Sequence, residues 1–323
     1  MKLTFIFIIL LIAPFYVFAQ NNNKIDTIIY KKQGEPYFLV PHWLVGKKDT
    51  FNLTEINTTV KNGDTILNKQ LRSKIIHTVE NINDSSIIQT AKIGKEIYQK
   101  LIFYNNKLPK NSLLKDFYSV KYQTNLDGTN IKILNCADVQ KHLLIDLQIA
   151  IDSATISNDD NVYVLKDYLK MMKECGNVQS FLMNDVEMFH QFFNQLVPIK
   201  DTLKYQVTIK DTINPERTII AYYQVFLTKK LNGNKVFEFS EDKEKGATLF
   251  EQIAKGIENK LTEIDASKRP NNSDFKGTRE EKTIIEVDRY NYPVAIKRLR
   301  IATKQTKKEL KLDIRDYKIE RIN

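Results

Sequence analysis

Glycine is scarce in this chain, 10 of 323 residues, and the scarcity removes whole classes of chemistry. Phosphate-cradling loops need glycine so that the backbone can approach the anion, and neither Gly-x-x-x-x-Gly-Lys-Ser/Thr nor Gly-x-Gly-x-x-Gly occurs. The two cysteines, Cys136 and Cys175, form no Cys-x-x-Cys pair, which argues against dithiol redox catalysis. The four histidines, His42, His77, His142 and His190, show neither zinc-ligand spacing on a helix nor a His-Glu-x-x-His motif. There is no Gly-x-Ser-x-Gly elbow for a nucleophile. The oxygen-rich run Ser157 to Asn161 lacks the glycine and the distant Glu of an EF-hand loop and reads as a helix cap. Catalytic residues, metal ligands and cofactors are therefore expected to be none.

Long apolar runs are also absent, except at the very start. In MKLTFIFIILLIAPFYVFAQ, Lys2 supplies a positive n-region and Leu3 to Ile12 is apolar apart from Thr4. Pro14 then breaks the run, and Val17 and Ala19 occupy the −3 and −1 positions of a cleavage site. Residues 1–19 read as a signal peptide, and the chain from Gln20 is expected to be soluble, periplasmic or secreted. No later segment is long enough for a membrane span, and no cysteine stands at the cleavage site, so a lipoprotein is not expected. The net charge of +10 would suit nucleic acid in a cytosolic protein, but export removes that partner. The basic balance then reads first as a solvated surface and second as attraction to an anionic envelope or acidic glycan.

What is present is β-forming sequence. After a leader, 20–43, that contains the single Trp43, short segments rich in Ile, Val, Thr, Tyr and Phe alternate with turn signals at Asn62-Gly63, Asp127-Gly128 and Asn232-Gly233. Strands are expected near 50–60, 66–80, 85–104, 116–125 and 129–135, and again over 283–288, 294–303 and 309–321. In the last of these the alternation slips after Ile314, which a bulge near Arg315-Asp316 would explain. Helical spacing appears over 137–151, capped by Asn135, over 160–175, ended by Gly176, over 178–196 and over 250–264. The spacing places His77 on a strand surface and His190 toward the sheet or solvent.

The expected fold is α+β, with antiparallel β-meander sheets in two halves, 44–195 and 196–323, and two to four packed helices. Two short echoes, Leu44–Phe51 with Leu196–Leu203 and Leu126–Ile133 with Leu231–Glu238, suggest related halves. The alternative is one continuous sheet with recurrent turn chemistry. An even cysteine count in an exported chain makes Cys136–Cys175 a candidate disulfide, the alternative being two buried thiols.

Five Asp-Ser/Thr-aliphatic sites mark Thr27, Thr65, Ser153, Thr202 and Thr212 as candidate O-glycosylation positions. Together with the Ala-Gln signal ending and the Lys, Asn and Ile richness, they make the chain resemble exported envelope proteins of Gram-negative bacteria. The resemblance carries no active-site residues. The aromatic helix face of Phe181, Phe189, Phe192 and Phe193 exceeds one packing stripe, so these residues are candidate ligand-binding positions. The expected function is a non-catalytic binding protein for an apolar or amphiphilic envelope molecule. The alternatives are an envelope structural or protein-interaction module and, third, an enzyme with an unfamiliar site.

Overall fold

The computed structural model describes residues 26–32, 36–94, 117–156, 162–190, 192–200, 202–210, 218–243, 252, 276–305 and 309–322. The helix expected over 250–264 lies outside the described residues apart from Gln252. Fourteen strands appear among the described residues: β1 (Asp26–Lys32), β2 (Tyr37–Phe38), β3 (Lys48–Lys61), β4 (Asp64–Ile82), β5 (Ser86–Gly94), β6 (Phe117–Asn125), β7 (Lys132–Ile133), β8 (Leu196–Val197), β9 (Thr202–Lys210), β10 (Thr218–Lys229), β11 (Lys235–Glu241), β12 (Lys276–Val287), β13 (Pro293–Gln305) and β14 (Leu310–Ile322). Between β7 and β8 run α1 (Cys136–Ile156), α2 (Val162–Met171), α3 (Cys175–Leu182) and α4 (Asn184–His190). The protein is thus mostly antiparallel sheet with four short helices among the described residues.

Twelve strands form one sheet in the order β1-β9-β10-β11-β12-β13-β14-β3-β4-β5-β6-β7, and β2 pairs with β8 in a small second sheet. In the large sheet β9 to β14, which follow the helices in sequence, are contiguous, β3 to β7, which precede them, are contiguous, β14 pairs with β3 where the two blocks join, and β1 crosses over to add to the far edge on β9. Local chemistry explains the hairpins. Asn62 and Gly63 both have positive φ, 51° and 96°, the conformation that a two-residue hairpin needs to match strand twist. Along β3 the alternation of Phe51, Leu53 and Glu55 with Asn52 and Thr54 sends the odd residues to the buried face.

The sheet curves around α4. Seven strand spacings separate β6 from β11, about 34 Å if the sheet were flat. Yet His190 at the end of α4 touches Tyr122 on β6, and Phe192 two residues later packs on Phe239 of β11. Phe189 completes the contact with its ring 4.3 Å from Phe51 of β3. The helical layer therefore fills the upper half of a concave inner face, the half nearest the β10–β11 and β12–β13 hairpins.

In α1, Val139, Leu143, Leu147, Ala150 and Ile151 are buried while Ile145 is exposed, which is helical and not strand periodicity. Asn135 does not cap α1 with its side chain. Its Oδ1 accepts from the Lys121 N–H and its Nδ2 donates to the Ser119 carbonyl, pinning the helix start to β6. The helix expected over 160–175 ends at Met171, and Gly176 belongs to the first turn of α3. The segment 178–196 is two helices that divide after Leu182 and stop at His190. Asn194 at φ 59° turns the chain there, and its N–H donates to the Leu39 carbonyl, so tertiary pairing outcompetes helical spacing.

No bulge occurs at Arg315-Asp316; β14 stays in register with β13 and β3 throughout. The alternation slips because the inner face, odd-numbered along all of β14, turns from apolar to polar, with Arg315 opposite Arg300 and Asp313 opposite Thr59 in the lower half. Tyr317 and Ile319 are buried under the helical layer, whereas Leu312 and Ile314 are half-buried and Leu310 is exposed on the opposite face in the lower half.

Candidate functional site

Parity on β4 places His77 inside, beside Ile75 and Val79, and not on the surface; it is 4 % exposed. Its Nε2 lies 2.7 Å from Gln89 Oε1 and 2.8 Å from the Tyr122 hydroxyl, and its Nδ1 lies 2.6 Å from the Tyr292 hydroxyl. Tyr122 lies 3.1 Å from His190 Nε2, and His190 Nδ1 lies 2.9 Å from the Gly128 carbonyl. That carbonyl can only accept, so Nδ1 of His190 carries the proton and Nε2 accepts from Tyr122. In the same way Nε2 of His77 donates toward Gln89 and Tyr122, and Nδ1 accepts from Tyr292. Gln89 passes the chain on by donating to Thr124 across 2.9 Å.

Five elements meet in this network: β4, β5, β6, the end of α4 and the β12–β13 hairpin. Trp43 closes it from outside, stacked 5.8 Å from His190 and edge-on to Phe193 and Tyr292. Its indole N–H donates to the Leu126 carbonyl. Lys47 sets its ammonium 3.8 Å from the Tyr292 ring centroid. Burial pushes His77 down to about 4, against the hydrogen bond it donates to Gln89, and Lys47 adds to the lowering. Burial likewise pushes His190 down to about 3, with His77 adding to it. Both imidazoles are neutral at ordinary pH, and each ring nitrogen has a partner.

A second cluster lies on the lower inner face. Glu281 takes Arg279 Nη2 at 2.8 Å and Arg300 Nε at 3.1 Å on Oε2, and Arg298 Nε at 3.2 Å on Oε1. Residues 281 and 300 are paired across β12 and β13, as are 283 and 298, so register alone brings these charges together. Burial would raise Glu281, but Arg298, Arg300 and Arg279 hold it at about 2. Burial lowers Arg300 to about 10 against the pull of Glu281. Arg298 Nη1 also approaches Met188 Sδ of α4 at 3.4 Å, which is where the helical layer meets the charged half of the face.

Phe189, Phe192 and Phe193 are buried, packed on Phe51, Phe239 and Trp43 respectively. Phe192 and Phe193 lie in the turn after α4 and not on a helix. Phe181 lies in α3, and its side chain is outside the described residues. Cys136 and Cys175 are bonded, joining the first turns of α1 and α3. Thr65 is exposed at the start of β4, and Thr202 is half-buried at the start of β9. The side chains of Thr27 in β1 and Ser153 in α1, and Thr212 altogether, lie outside the described residues.

The sequence pattern missed both polar clusters. Parity was the available signal: His77 shares its face with Ile75 and Val79, and Arg298 shares its face with Ile296. Among the described residues no group of His, Cys, Asp and Glu is arranged to hold a metal ion, and no helix is long and apolar enough to cross a membrane. No protein-family model matches the chain, and no curated protein matches it.

Proposed function

We propose that this chain is an exported, non-catalytic binding protein that takes an amphiphilic envelope molecule at the seam between α4 and the sheet. The observation that carries the proposal is the approach of Arg298 to Met188 at 3.4 Å. There an apolar layer of Met188, Phe192 and Phe239 abuts the guanidinium groups around Glu281, which suits a molecule with an apolar chain and an anionic head. The non-catalytic part is supported by the His77–His190 network, whose ring nitrogens are engaged by neighbouring side chains and backbone. Export, periplasmic or secreted location and removal of residues 1–19 enter from the sequence. The two-half organisation, 44–195 and 196–323, is supported by the contiguous strand blocks β3 to β7, which the helices follow, and β9 to β14.

Native mass spectrometry of protein isolated from its own envelope tests the proposal. An amphiphile should remain bound, and Arg298→Gln and Phe192→Ala should each reduce its retention. A ligand-free parent spectrum would overturn it. A second reading, a protein-interaction module, draws on β4, where residues 64–70 are exposed, with Ile66 among them. A partner protein retained in place of a small molecule would favour it.

A further inference from the structure

Four chain segments meet at the upper rim of the sheet and are tied to one another by backbone and side-chain hydrogen bonds. The strap 36–47 receives the Asn291 side chain at the Val40 carbonyl and donates from His42 N–H to the Tyr290 carbonyl. Trp43 ties the strap to the turn after β6, and Lys235 reaches both Tyr37 and Asn291 from the β10–β11 hairpin. From this rim Phe38, Leu44, Val45, Leu126 and Tyr290 project, between 39 and 60 % exposed, and Leu231 is fully exposed at a hairpin tip. None of these positions requires an apolar residue for its turn, and polar residues are the usual choice at such tips.

Basic residues stand next to two of these segments. Lys48 and Arg289 are exposed, and the Arg289 guanidinium lies 4.7 Å from the Tyr290 ring centroid. The nearby acids are engaged: Glu286 accepts from Lys230 and Asn234, Asp288 from Arg321 and Asp127 from Thr129, and Asp49 pairs with Lys47 and Arg321.

We propose that this rim is a membrane-docking surface that inserts its loop-tip side chains into the interfacial layer of an anionic bilayer. Apolar side chains that protrude separately from four segments do not make the flat, complementary face of a protein interface. A fluid bilayer needs no matching shape, only apolar tips at one level and cations beside them for lipid phosphates. The net charge of +10 has the sign that such a surface attracts. The rim is distinct from the Met188–Arg298 seam, so the proposal stands without any bound amphiphile.

Flotation of the exported protein with phosphatidylcholine vesicles, with and without phosphatidylglycerol, is the test. Binding should require phosphatidylglycerol and weaken with salt. Leu231→Ser and Leu44→Ser should each lower partitioning by about tenfold, and Arg289→Gln should reduce the salt dependence. All three sites are exposed, so the thermal transition should stay in place and show that the variants are folded. A parent protein that does not float, or a double Leu231→Ser, Leu44→Ser variant that floats like the parent, would overturn the proposal. Capture of an envelope protein that is lost in the same variants, without vesicle binding, would assign the rim to a protein partner and overturn it as well.

Discussion

The Tyr292 hydroxyl donates to Nδ1 of His77 across 2.6 Å, although 215 residues separate the two in the chain. The bond ties the β12–β13 hairpin to β4, three strands away from β13, and it holds only while His77 is neutral at Nδ1. Its dependence on proton count makes the network a sensitive reporter of pH.

Burial lowers both imidazoles in the folded state, His77 to about 4 and His190 to about 3. The unfolded chain then binds protons more readily, so their contribution is complete above the ordinary histidine value of 6.5 and is lost as pH falls toward the folded values. Asp146 and Glu187 act oppositely. Burial raises them to about 6 and about 7, so they favour the folded state as pH falls. In an Asp146→Asn, Glu187→Gln variant, stability should therefore decline from neutral pH to about pH 4 by roughly 3 kcal/mol per histidine. Urea titrations across that range measure it; a flat profile would mean that the imidazoles are solvated.

Gly128 has φ 83°, and a Cβ there would come within 2.5 Å of the Phe193 ring. Its carbonyl also accepts from His190. Gly128→Ala should cost about 2 to 4 kcal/mol from backbone strain and overpacking together. Trp43 is the only tryptophan and packs on Phe193, so its emission should shift in the folded variant. An unchanged denaturation midpoint with unchanged emission would contradict the packing at this turn.

Glu281 is the carboxylate shared by Arg279, Arg298 and Arg300. Glu281→Gln should destabilise the fold by about 3 to 5 kcal/mol, because the guanidinium groups stay buried without it. The contribution exists above the ordinary value of 4.5 and disappears as pH falls through about 2. The control is Glu238→Gln, which breaks the more exposed pair with Lys282 and should cost under about 1 kcal/mol. Equal losses in the two variants would remove the distinction between the sites.

The bond between Cys136 and Cys175 closes a loop with a sequence separation of 39. Its loss should lower stability by about 4 kcal/mol on the loop-entropy account. A Cys136→Ser, Cys175→Ser variant compared with the parent in denaturant checks the magnitude, and alkylation without reductant checks the bond. Full alkylation of the folded parent would show two thiols.

Much of the fold was legible because it is set over short distances. Asn62-Gly63 carries its own turn geometry, the alternation of Phe51 and Leu53 fixes which face of β3 is buried, and the spacing of Val139, Leu143 and Leu147 specifies a helix. Each is a local steric or periodic preference that the residues hold before any tertiary contact forms. The tertiary structure decided what depends on partners remote in sequence. It joined β14 to β3, stopped α4 at His190 through the Asn194–Leu39 contact, and turned the inner face of β14 from apolar to polar without a bulge. It also converted His77, which looks ordinary between Ile76 and Thr78, into the centre of a closed network, and gathered three arginines around Glu281. Neither cluster has a sequence motif, because strand parity tells only which face a side chain takes; strand order and the curvature around α4 determine which side chains it meets there.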